Sequence, residues 1–536
     1  MTKDTTILEP NRRHVLQLGA GIGLMLTMPV GNYAAFAADS DSLTIAIPAD
    51  LGGWDQDFLA FDLVGLAVMK NTYPYMIDYS VREVDGSDIT DTENVLPLYA
   101  ESWTSNEDGT VWTLKLKQGI KFPSGNELTA ADVKWSKDRA FAAQANVAGI
   151  YRIIGLTEPD QVKVIDDYTV EFTQSKPSAL TSQIQIISLY VYDSELLKTH
   201  ATDDDPWAQK WANANPIDGG AYNVADYRPG EEIVLEVNPN FPGEAPAVSK
   251  IRLQVVPAPA NRRLLLQNGD VDMALGLTRR DVQDLGETEG IKLLSAPNNE
   301  IVFVPMNTAA APFDNAGVRK ALAMAVPYEA LIRSVYNNDA RRVKSPVPID
   351  MPGYSEAGYP FETDIEGAKK ALADAGYADG FETSIVIPSG DVEKERIAVL
   401  LQAAFAEIGV TLKIENVDPA TLQQRLRDKT VPLQVASGQM WVNDAEYLAS
   451  VALMEGGFLN YANYQSEEFD ALVNTLRGEL DTAKRMKIIA QMQDVLAKDV
   501  PWLVLAQPNF VLPVNEAVSG WVQPVDGLFR LRYLEN

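Results

Sequence analysis

The sequence predicts an α/β protein whose lobes are assembled from discontinuous segments, and three observations carry that expectation. Between Leu98 and Arg139 a hairpin pattern runs directly into a capped helix. An apolar strand, Ile301 to Val304, precedes a helix at Asn315 to Val326 that Pro327 helps to end. A buried-strand pattern, Pro501 to Leu505, follows a helical stretch over roughly 481–498. The 536 residues amount to about three or four units of roughly 150 residues, yet no solenoid-period repeat, low-complexity tract or proline-rich linker divides them.

The first stretch, LYAESWTSNEDGTVWTLKLKQGIKFPSGNELTAADVKWSKDR, is the most informative. Asn106, Glu107, Asp108 and Gly109 form a turn, because Gly accepts positive φ and Asn or Asp side chains bond the neighbouring backbone. Val111 to Lys117 largely alternates apolar and polar, as a half-buried strand does. Ser124 and Gly125 turn the chain again, and Thr129 with Asp132 has capping-box spacing ahead of a helix carrying Val133, Trp135 and Phe141. The acidic run Asp203, Asp204, Asp205 and Pro206 reads as a solvated turn.

At the amino terminus, Asn11 to Gln17 (NRRHVLQ) resembles a twin-arginine export motif. It leads into a glycine-broken apolar run from Val15 to Val30 and a small-x-small cleavage signal at Ala35, Phe36 and Ala37. A membrane span needs roughly 20 apolar residues, so the run reads as a cleaved leader, with the mature chain starting near Ala38; paired arginines also occur in ordinary secretory signals, which leaves the export route open. The composition has no cysteine, which excludes a lipid-anchored form and a disulfide framework. With 74 Asp+Glu against 45 Lys+Arg the net charge is −29, and −30 once the leader is removed. Such a surface repels nucleic acid and anionic lipid and keeps an exported protein in solution.

Taken together, these motifs resemble the family-5 solute-binding proteins of ABC importers, the dipeptide-, oligopeptide- and nickel-binding type. The Leu98–Arg139 run is similar to that family's LAxSWxxSxDGxxYTFxLRxGVKFxDGxPLTAxDV signature, with Pro123-Ser124-Gly125 and Trp112 as departures. Pro216 to Tyr222 with Val237 to Phe241, Arg263 to Met273, Pro312 to Leu322, Asp364 to Phe381, and Phe469 through Trp502 resemble five further blocks in the same order.

The resemblance implies a two-lobed periplasmic-binding-protein fold with an extra domain and a hinge. It divides the chain as signal peptide 1–37, first lobe 38–75, extra domain 76–189, first lobe again 190–298, second lobe 299–499, and a return segment 500–536. It further implies a monomer in the periplasm that closes on a small solute and delivers it to an inner-membrane ABC permease with its ATPase subunits.

Trp441, Val442, Asn443 and Asp444 resemble the family's WxxD segment, whose aspartate holds a ligand's α-ammonium in peptide-binding members. The resemblance thus makes Asp444 the anchor, with Trp441 and Asn443 beside it; an Asp in the run Asn443-Asp444-Ala445-Glu446 is equally suited to capping a helix. Ala445, Glu446 and Tyr447 depart from the family's usual continuation. Asn71 to Tyr75 (NTYPY) resembles a cleft-lining turn, making Tyr73 and Tyr75 either ligand wall or core aromatics. A peptide or other amine-bearing solute is the first reading. A sugar- or opine-type solute, or a chaperone-like binding role, is the alternative.

Catalysis is not expected. Without cysteine, and with His200 as the single histidine of the mature chain, in what reads as an exposed loop, Ser-His-Asp, Cys-His and zinc constellations lack their parts. No phosphate-binding glycine loop follows a strand. No cofactor or metal is implied.

Overall fold

In the computed structural model, residues 41–59 and 62–536 are described, so the expected leader and its arginine pair lie outside the described residues. The hairpin forms as its turn chemistry dictates: Ala100–Ser105 pairs antiparallel with Val111–Leu116. Gly109 sits at φ +69°, and Asn106 Oδ1 accepts the Thr110 and Val111 N–H groups at 3.0 Å each. Trp103 and Trp112 stack across the pair, 4.9 Å between centroids. The helix Ala130–Ala142 opens with a complete Thr129–Asp132 capping box. Asp132 Oδ1 also accepts Ser194 N–H at 3.1 Å, fastening that helix to the next segment. With Thr169–Thr173 and Val162–Asp166 the hairpin completes a four-stranded antiparallel sheet.

Two larger assemblies account for most of the remaining strands. In a seven-stranded sheet the order is Ile291–Ala296, Phe510–Asn515, Met273–Ala274, Ser42–Ile47, Lys250–Val255, Glu232–Val237 and Tyr222–Arg228, with Ser42–Ile47 parallel to both neighbours. The second assembly joins an antiparallel sheet (Ala340–Arg341, Trp502–Pro508, Ile301–Pro305, Ala436–Gly438) to a parallel one (Val410–Val417, Phe381–Pro388, Leu433–Gln434). The long crossover between Phe381–Pro388 and Val410–Val417 is the helix Val392–Glu407, as parallel pairing requires. No helix among the described residues is long and apolar enough to cross a membrane.

The chain passes between the two assemblies side by side. Ala296 pairs with Phe510 in the first, and Val302 pairs with Ala506 in the second. Both passages, over residues 296–301 and 508–510, are therefore neighbours in one ladder that changes sheets. This moves the return expected at Pro501–Leu505: Trp502–Pro508 is fully buried in the second assembly, pairing with Ile301–Pro305, and the crossing comes only at Asn509. An apolar run declares burial but not which sheet buries it. Gln507 Nε2, donating to the Asn298 carbonyl at 2.6 Å, ties the two passages together.

His200 also differs from its expected loop. It ends the helix Ser194–His200, and its ring stacks on Trp211 with centroids 4.1 Å apart.

Candidate functional site

A cavity of about 360 Å³ opens between segments on either side of the two passages. Leu59, Leu66, Ile150, Ile153, Ile187 and Leu528 supply one wall; Trp441, Val451 and Phe458 supply the other. Polar groups are few: Gln56, Asn146, Ser188, Tyr190, Ser450 and Arg477. A mostly apolar concavity with a small number of placed polar groups is the usual build of a small-solute site.

The polar groups on the first wall are held by a buried charge network. Arg139 of the helix Ala130–Ala142 is fully buried and pairs with both Asp55 and Asp57, so the segment carrying Gln56 is clamped on each side of it. Tyr190 donates to Asp57 Oδ1 at 2.7 Å and Tyr192 to Asp55 Oδ1 at 3.1 Å. Burial, reinforced by the Asp57 charge, holds the Tyr190 hydroxyl well above its ordinary pKa. Ser188 presents its backbone carbonyl to Lys137 Nζ at 2.8 Å. Burial pushes that ammonium down to about 7, against the opposing pull of Asp57.

On the second wall, Arg477 follows the helix Glu467–Leu476. Its Nε donates to Ser450 Oγ at 3.2 Å and Nη1 to Asn474 Oδ1 at 3.3 Å. It is the only formally charged side chain on the described wall of the cavity.

The residues singled out from sequence separate into layers. Trp441 lines the cavity, half-buried. Asn443 lies beside the first passage, its N–H donating to Gln183 Oε1 at 2.9 Å and its Oδ1 facing Asn299 Nδ2 at 3.4 Å. Asp444 is the N-cap of the short helix Ala445–Leu448, accepting from Glu446 N–H at 2.8 Å. Both of its carboxylate oxygens also accept from Arg485 Nη2, at 2.8 and 2.9 Å.

Arg485 bonds Glu446 too, at 2.8 Å, and burial still raises the Glu446 carboxyl above its ordinary value. Tyr73 and Tyr75 are each 1% exposed and form a layer behind the cavity wall. Tyr73 donates to the Trp54 carbonyl and Tyr75 accepts from Gln56 Nε2, while both rings pack edge-on against Tyr190. Gln56, Tyr190 and Arg477 went unnoticed in the sequence because each sits in an unremarkable context: a polar turn, an apolar run, the end of a surface helix.

Comparison with known proteins follows the same lines. Residues 94–458 match the model for bacterial extracellular solute-binding proteins, family 5 Middle. The chain is 25% identical over 497 residues to the probable D,D-dipeptide-binding periplasmic protein DdpA of Escherichia coli K12, covering 91% of this chain and 90% of that one. It is 28% identical over 451 residues to heme-binding protein A of Haemophilus influenzae, covering 80% and 82%. Among solved structures, the periplasmic binding protein DppA of Helicobacter pylori in complex with the peptide STSA superposes with a TM-score of 0.79 at 22% identity, covering 92% of this chain and 98% of that one. The match spans more than half of the sequence and both assemblies of the fold, and the chain belongs to the bacterial extracellular solute-binding proteins of family 5.

Proposed function

We propose that this family-5 protein is the exported, monomeric receptor of an ABC importer and that its solute sits in the cavity between the segments around residues 56–190 and those around residues 441–477, delivered from there to an inner-membrane permease. The observation that carries this reading is the cavity itself. Its walls come from segments on either side of the two passages, so a solute touching both walls favours the arrangement in which they meet over one in which they part. The mostly apolar lining favours a solute with an apolar body, such as a short peptide or a conjugated amino acid, over a free sugar. The chemistry is binding and release, in line with the family's role as binding proteins rather than enzymes.

Asp444 remains the sequence's candidate for an ammonium, but its partnership with Arg485 supplies the cation that a buried carboxylate requires. The carboxylate shapes the turn after Trp441, and the cavity walls hold the solute.

The test is a thermal-shift screen of peptides, amino acids, sugars and opines on the mature protein, because a ligand that binds only the native state raises its stability by mass action. Saturable stabilisation by one chemical class supports the reading. Stabilisation by none of them, with the protein fully folded, removes it.

A further inference from the structure

We infer that Arg477 is the recognition point for a carboxylate, and that this receptor selects solutes combining one carboxylate, an apolar body and a nearby amide group, with no requirement for a free ammonium. The inference rests on the cavity being the binding place and adds the class of solute.

Five observations converge on it. Arg477 has no carboxylate within ion-pair distance among the described residues; Glu446 and Asp470 act on it only from farther away, and Glu446 is bonded through Oε2 to Arg485, its Oε1 reaching no partner. Ser450 and Asn474 take Nε and one hydrogen of Nη1. That fixes the plane of the guanidinium and leaves Nη2 without a protein partner, the arrangement that receives a carboxylate through two parallel bonds. The surrounding wall is apolar, so a guanidinium there gains most from an anion brought by the solute.

On the facing wall Gln56, 4% exposed, spends one end of its amide on the Tyr75 hydroxyl and leaves the other end without a protein partner. A buried amide end in that state costs stability until a complementary group reaches it, and a solute amide, with both an N–H and a carbonyl, is the group that fits. The one carboxylate that the WxxD resemblance offers to an ammonium, Asp444, has both oxygens occupied and is not on the cavity wall. A peptide held by its C-terminus, or an N-acylated amino acid, satisfies every one of these conditions.

Three probes separate the possibilities: leucyl-leucine, N-acetyl-leucyl-leucine and leucyl-leucinamide, titrated by calorimetry into the mature protein. The free acid and its N-acetyl form should bind comparably, and the amide about ten- to a hundredfold more weakly, the loss of charged hydrogen bonds. Arg477→Gln should bring both acids down to the level of the amide at an unchanged unliganded melting temperature, with Arg477→Lys in between.

The inference is overturned if Arg477→Gln binds leucyl-leucine within about twofold of wild type, if the amide binds as well as the acid, or if none of the three binds. Ile150→Trp, which fills the cavity from the helix Asn146–Ile153, tests the underlying reading separately. Acid binding that survives Ile150→Trp removes the cavity as the site. Binding abolished by Ile150→Trp but untouched by Arg477→Gln removes only the role of Arg477.

Discussion

Asp444 and Arg485 are joined through a single guanidinium nitrogen that reaches both carboxylate oxygens, at 2.8 and 2.9 Å. The other terminal nitrogen of Arg485 is bonded to Glu446 at 2.8 Å. One cation thereby serves two acids at the start of one short helix. Asp444→Asn keeps the cap and removes the charge. It should destabilise the protein by about 1–3 kcal/mol, below the range for a fully buried pair because Asp444 is part-exposed, and leave solute selection unchanged. Urea denaturation alongside calorimetry checks both; a large selective loss for amine-bearing ligands at unchanged stability would instead assign Asp444 to an ammonium.

Gln183 joins the segments that carry the two walls. It lies on the helix Thr181–Ser188, and its Oε1 accepts the Asn443 N–H at 2.9 Å and faces the Tyr79 hydroxyl at 3.4 Å. Gln183→Ala removes that hydrogen bond between the two segments. Affinity should fall by about two- to tenfold, and small-angle scattering of the unliganded protein should report a larger radius, with ligand restoring the compact one.

Lys137 makes stability depend on pH in a definite direction. Its ammonium, pushed down to about 7 from an ordinary 10.5 by burial, is neutral in the folded protein over a range where the unfolded chain still carries the proton. The unfolded state then binds more protons, so this group's contribution to stability rises as pH climbs from about 7 toward 10 and is flat below 7. Lys137→Met should flatten the part of the slope between pH 7 and 8. Chemical denaturation at those two values measures the change, before Lys70, pushed down to about 8 by burial, joins in.

Asp78 sets the acid limit. It is fully buried against Arg530 at 2.7 Å, Arg532 at 2.8 Å and Lys70 at 3.3 Å, and these cations hold its carboxyl well below the ordinary value despite burial. Its contribution is complete above about pH 4 and is lost as the pH falls from there toward the depressed folded value. Asp78→Asn should cost about 3–5 kcal/mol at neutral pH by leaving buried cations under-compensated, and it should make the acid unfolding midpoint less steep.

Export is tested at Arg12 and Arg13. If the leader is of the twin-arginine type, replacing both by lysine should leave the protein inside the cell, measured by fractionation; unchanged export assigns the general secretory route.

Motif order disclosed the family and its α/β fold, while residue patterns by themselves disclosed only local structure. The Asn106–Gly109 turn and the Thr129–Asp132 box are governed by neighbours a few residues away, and both form as the residue types require. The partner of Trp502–Pro508 was not legible, because burial on both faces erases the alternation that distinguishes one sheet from another. The same holds for the site. Asp444 was conspicuous by its motif, but its cation comes from another helix 41 residues later. The cavity draws on separate stretches around residues 56, 66, 150, 187, 441, 457, 477 and 528, and no periodicity links them.

The clamp of Arg139 on Asp55 and Asp57 divides the labour of evolution between the two walls. Substitutions beside Gln56 disturb a buried triplet of charges and threaten the whole molecule, whereas Phe458, 53% exposed between Gly457 and Leu459, is free to vary. New nutrient preferences should therefore arise by changes on the Phe458 side, with the opposite face inherited intact.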